Sequence, residues 1–217
     1  MKSDTQIRTD VLAELSWEPS VRSTDVGVIA RDGVVTLTGE LDSYPEKLSV
    51  ERAVLRVKGV RAVAIDMTIR PAQAHERTDS EIAQAAEQAL VWNVLVPDGA
   101  VTPLVENGHI TLTGEVGWDY QRRAAENAVQ ELLGIRGVTN LVKVRPSVAP
   151  VDVENSIHDA LVRQAENESR QVHVSVQGNA VTLRGKVASW VEHAAVQAAA
   201  WSAPGVASVL NNVVVES

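Results

Sequence analysis

The chain has 217 residues, of which 45% are hydrophobic, with a net charge of −8, no cysteine and no phenylalanine. Without thiols it can form no disulfide, thiolate metal site or cysteine nucleophile, and its acidic balance opposes phosphate backbones and anionic surfaces, so nucleic-acid binding is not expected. No stretch approaches the roughly 18 apolar residues of a membrane span, and residues 1–12 lack the apolar run of a secretory signal, which predicts a cytoplasmic location.

The first predicted element is an amphipathic helix carrying Ile7, Val11, Leu12 and Leu15 on one face, with Ser3-x-x-Gln6 at capping spacing. Two short strands follow, 26–30 and 35–40, around Asp32-Gly33, a pair that favours the positive φ of a tight hairpin turn. In Val35-Thr36-Leu37-Thr38-Gly39 a period of two turns Val35 and Leu37 to the core. A second helix opens at Ser43-x-x-Glu46, shows Val50, Ala53, Val54 and Val57 as its stripe, and stops at Lys58-Gly59-Val60. A strand over 62–69 ends the unit before Pro71.

The same order begins again 75 residues later. Thr78-x-x-Glu81 caps a helix with Ile82, Ala86 and Leu90. Strands 102–106 and 110–116 flank Asn107-Gly108. Ala125, Ala128, Val129 and Leu132 form the second stripe, and Arg136-Gly137-Val138 precedes a strand over 139–144. Set on Gly137, this copy carries three extra residues around Gly134. A third copy runs from a helix with Ile157 and Leu161, capped at Asp152, through strands 172–177 and 181–187 about Gly178-Asn179. It continues with the stripe Val196, Ala199, Ala200, Ala203 and Pro204-Gly205-Val206, and ends on a strand over 207–215. Gly178 stands one position early, before Asn179, which leaves the type of the third turn open.

Such a repeat predicts an α+β fold of three tandem α-β-β-α-β units at 1–70, 76–146 and 150–217. Each is expected to be a three-stranded mixed sheet with both helices on one face, the strand-helix-strand crossover being right-handed. Units of about 70 residues bury a thin core, so contacts between units or between chains are expected to add stability, and a homo-oligomer is expected.

Chemistry is sparse. His75, His109, His158, His173 and His193 stand in no metal-ligand or metalloprotease spacing, and there is no G-x-S-x-G elbow, so no catalytic, metal or cofactor site is assigned. Gly134-Ile135-Arg136-Gly137 has the form of a backbone-clamping RNA loop, but occurs once and follows a helix end, which leaves RNA binding a remote alternative. Arg52, Arg56, Lys58 and Arg61 read as a mixed-charge face alongside Glu46 and Glu51. The aromatics are more selective. Tyr44, Trp118, Tyr120 and Trp190 all fall where the second strand enters the second helix, as candidate contacts for a lipid interface or a neighbouring unit, or as a hydrophobic staple. Trp17 and Trp92 stand at equivalent places ten residues after Ile7 and Ile82, where the third copy has Asn167.

The α-β-β-α-β order, with a Gly-x-Val-x-Leu-x-Gly core followed about twenty residues on by Gly-Val, resembles the BON domain family. The residues that carry the resemblance include Gly33, Gly39 and Gly59 in the first copy, Gly108, Gly114 and Gly137 in the second, and Gly185 and Gly205 in the third. The resemblance implies a non-enzymatic binding or scaffold protein without cofactor, attached to phospholipid or cell-envelope partners in osmotic or envelope stress. The alternative is a homo-oligomeric structural assembly built by repeat-repeat contacts.

Overall fold

A computed structural model describes residues 2–71, 75–145 and 172–215. The helix expected at the start of the third copy, with Asp152, Ile157 and Leu161, falls outside the described residues, as do His158 and Asn167. Unit 1 runs α1 (Asp4–Ser16), β1 (Val26–Arg31), β2 (Val34–Leu41), α2 (Tyr44–Arg56) and β3 (Ala62–Ile69). Unit 2 runs α3 (Asp79–Trp92), β4 (Val101–Glu106), β5 (His109–Val116), α4 (Asp119–Gln130), β6 (Gly137–Asn140) and β7 (Lys143–Val144). Unit 3 contributes β8 (Val172–Gln177), β9 (Ala180–Val187), α5 (Trp190–Ser202) and β10 (Ser208–Val215).

Each sheet has the second strand in the middle, antiparallel to the first and parallel to the last, as the fold class predicted. Registers coincide copy by copy. Val26 faces Gly39, Val101 faces Gly114 and Val172 faces Gly185. In the parallel ladders Val34 faces Ala62, His109 faces Gly137 and Ala180 faces Ser208.

Those registers correct one expectation. With the same spacing in all three ladders, unit 2 has no insertion, and the glycine equivalent to Gly59 and Gly205 is Gly134, not Gly137. Gly59, Gly134 and Gly205 share positive φ values of 103°, 84° and 91°. The residues after them, Val60, Ile135 and Val206, are all buried. Gly137 instead lies within β6, against the His109 imidazole. The expected strand over 139–144 is divided into β6 and β7; between them the Asn140 side chain accepts from Val142 N–H (3.1 Å) and donates to the Arg122 carbonyl (2.9 Å).

Hairpin turns explain the odd third copy. Asp32 and Gly33, like Asn107 and Gly108, both have positive φ, as a type I′ turn requires, whereas in unit 3 only Gly178 does, the type II′ pattern. Asn179 then uses its side chain, donating to the Gly205 carbonyl at 2.6 Å. In units 1 and 2 the turn is clamped from the first helix. Asp4 accepts from the N–H groups of Asp32 (2.9 Å) and Gly33 (3.1 Å), and Asp79 accepts from Asn107 (2.7 Å) and Gly108 (2.8 Å).

Helix caps form as their spacing predicted: Ser3, Ser43 and Ser189 accept from the backbone three residues on, and Thr78 with Glu81 completes a reciprocal capping box. Backbone N–H donation holds Asp4 below its ordinary carboxylate range, first from Asp32 and then from Gly33, and the Thr78 N–H and hydroxyl do the same for Glu81. The unfolded chain takes up these protons first, so the stabilisation is complete above the ordinary carboxylate values and is lost as pH falls through the lowered ones. Urea midpoints are expected to drop between about pH 5 and pH 3, with a shallower slope in Asp4→Asn.

Candidate functional site

The helix-entry corner is built the same way in each unit. Glu46 is buried and accepts from the N–H groups of Arg22 (3.0 Å) and Asp42 (3.1 Å). Gln121 holds the equivalent place, accepting from Gly117 and Trp118 (both 3.0 Å), and Glu192 accepts from Ala188 (2.9 Å). These long side chains tie off donors that the strand-to-helix bend would otherwise leave unpaired.

On this frame the residue opening the helix contacts a neighbouring unit in units 1 and 3. Tyr44 is buried, joins the apolar cluster of units 2 and 3, and hydrogen-bonds the Val138 backbone. Burial raises its phenol pKa. Trp190 reaches from unit 3 into unit 1, its indole N–H donating to the Val60 carbonyl at 2.9 Å beside Val57 and Gly59. At the third such position Asp119 is buried and faces Arg122 and Arg123 of its own helix, and the Arg122 guanidinium lies over the Trp201 ring of unit 3, 4.6 Å from its centre. Each unit therefore touches both others.

The four sequence candidates thus divide. Tyr44, buried, and Trp190, part-buried, are engaged in contacts between units, the neighbouring-unit alternative named for them. Trp118 and Tyr120 stay at the surface as a tilted pair, ring centres 6.4 Å apart, with Tyr120 half exposed. The indoles most open to solvent are Trp17 and Trp92, at 84% and 87% exposure, at the C-terminal ends of α1 and α3. Around Trp92 stand Val91, Val94 and Leu95, also exposed, and a groove of about 510 Å³ runs between α3 and β4 over Leu90, Val91, Val96 and Val101. The signal for these tryptophans was their equivalent repeat position, ten residues after Ile7 and Ile82.

Among the described residues no three His, Asp or Glu side chains cluster as a metal site. His109 pairs with the Thr139 hydroxyl (2.8 Å) on the open face of sheet 2, and His193 packs edge-on to Trp190 with its ring centre 5.2 Å away. Burial holds the His193 imidazole below its ordinary value. Arg56 binds Glu14 (2.7 Å) and Glu18 (3.3 Å), so the basic spot is a mixed-charge face. The Gly134-to-Gly137 run is no open loop: Ile135 is buried and Arg136 N–H bonds the Gly108 carbonyl at 2.8 Å. No described helix is long and apolar enough to cross a membrane.

The sequence profile of the BON domain matches three times, at residues 3–71, 78–146 and 151–217. The chain belongs to the BON domain family. Its BON units are also similar to the osmotically-inducible protein Y of Escherichia coli (strain K12), 25% identical over 146 residues, covering 65% of this chain and 73% of that protein. Two structures of CdsD, a structural protein of the type III secretion system of Chlamydia trachomatis, align with TM-scores of 0.27 and 0.28. Their identities are 16% and 17%. The first covers 97% of this chain and 92% of its own, and the second covers both chains completely.

Proposed function

We propose that the three BON units act as one non-enzymatic scaffold, attaching to a phospholipid surface or envelope partner in osmotic or envelope stress through the exposed ends of α1 and α3. The observation that carries this reading is the pair of indoles, Trp17 and Trp92, left in solvent at the same repeat position while Tyr44 and Trp190 are packed away. An indole with an apolar body and one polar N–H is suited to the boundary of a bilayer, and Val91, Val94 and Leu95 add apolar area beside Trp92. Fully burying one such side chain is worth about 1.5–3 kcal/mol, enough for a factor of ten or more in partitioning. With a net charge of −8, the chain is expected to favour neutral over anionic headgroups.

Co-sedimentation with phosphatidylcholine vesicles, alone and mixed with phosphatidylglycerol, tests this. The chain is expected to pellet with neutral vesicles, and Trp92→Ser is expected to lower the bound fraction several-fold, with Trp17→Ser adding to the loss. Absence from both pellets sinks the lipid part of the reading.

A further inference from the structure

Among the described residues the outer strand of each hairpin pairs with no strand on its far side, a template for another strand unless something blocks it. Val28, Pro103 and Val174 hold the same register position, opposite Leu37, Leu112 and Leu183. Backbone groups at this position point away from the hairpin partner. In unit 1 the outward Val28 carbonyl is taken by the Arg8 side chain, Nε to O 3.0 Å. In unit 2 Pro103 has no N–H to offer, the usual confinement of proline to an edge. Unit 3 has Val174, with both groups, and among the described residues no side chain bonds either of them. The opposite edges of sheets 2 and 3 carry a block of their own, since Val142 and Val213 N–H groups bond back to Asn140 and Asn211 (both 3.1 Å).

We infer that β8 is an open edge and that a second copy of this chain adds to it, antiparallel, about a two-fold axis through Val174. The strand Val172-His173-Val174-Ser175-Val176-Gln177 is uncharged and rich in β-branched residues, so self-pairing sets no like charges against each other in a chain that otherwise repels itself. Centred on Val174, the pairing sets Val172 against Val176 of the second copy and satisfies every outward N–H and C=O of these residues. His173 meets Ser175 of the second copy on the open face. Two sheets become one, in the order β10-β9-β8-β8-β9-β10. This interface is independent of lipid attachment.

Light scattering on the full chain is expected to give twice the 23.3 kDa chain mass at high concentration. Val174→Pro is expected to return it to one chain with an unchanged circular dichroism spectrum, because Pro103 shows that the unit accepts proline there. Since the chain has no cysteine, His173→Cys and Ser175→Cys chains read the register directly. Mixed and oxidised they are expected to give a cross-linked dimer, while either alone gives none, because like thiols lie diagonally, about 7–8 Å apart between Cα atoms and beyond disulfide reach. A one-chain mass for the parent protein, a dimer that survives Val174→Pro, or no cross-link in the mixture overturns the inference.

Discussion

Gly114→Ala is expected to cost on the order of 4 kcal/mol, among the largest effects of any single methyl added to this protein. At φ 138° the backbone of Gly114 lies in a region L side chains rarely adopt, and an added Cβ overlaps the Ala100 carbonyl oxygen, which belongs to the backbone leading into β4 and cannot step aside. Gly39 and Gly185 share this φ, at 139° each, and a Cβ on Gly39 overlaps the Asp25 carbonyl in the same way. The closing residue of the Val-Thr-Leu-Thr-Gly run is therefore a glycine because two strands converge on it. Gly137→Ala is the matched control. Its Cβ meets the His109 imidazole, a side chain able to swing away at the cost of its hydrogen bond to Thr139, about 1 kcal/mol. Denaturant titration of the two variants decides. Equal losses would show that the hairpin entrance is not as tight as the geometry requires.

Trp190→Ala carries the second large effect, about 2–3 kcal/mol from lost packing and from an unpaired Val60 carbonyl. Its readout is specific, because the residue belongs to unit 3 and its partner to unit 1. Hydrogen exchange is expected to quicken in α5 and in the turn around Gly59 together. Trp92→Ala removes an equal side chain from a solvent-exposed place and is expected to stay within about 0.5 kcal/mol of the parent. If the two substitutions destabilise alike, Trp190 does not join the units.

Much of the fold could be read from spacing alone, because each unit repeats its helix stripe, turn and central strand with little drift. The early glycine of the third turn was legible as a departure, and its type follows from the structure, where Gly178 alone takes positive φ. Reading failed where two glycines competed for one role. Gly134 and Gly137 both follow α4, and only the strand register showed that Gly134 adopts the left-handed cap while Gly137 sits in the ladder. The candidate site was legible only in part. Composition drew attention to Tyr44 and Trp190, but whether an aromatic at a helix entry meets solvent or a neighbouring unit depends on residues more than 90 positions away, such as Val138 and Val60. No local pattern encodes that distance.

Mutual contact among all three units has one more consequence. Covalent linkers join the first to the second and the second to the third, yet the third also grips the first, so connectivity in space forms a triangle where connectivity along the polypeptide is a line. Any single junction can open while the remaining two keep the trio assembled, and strain applied at either terminus is shared by parallel routes instead of passing through one hinge.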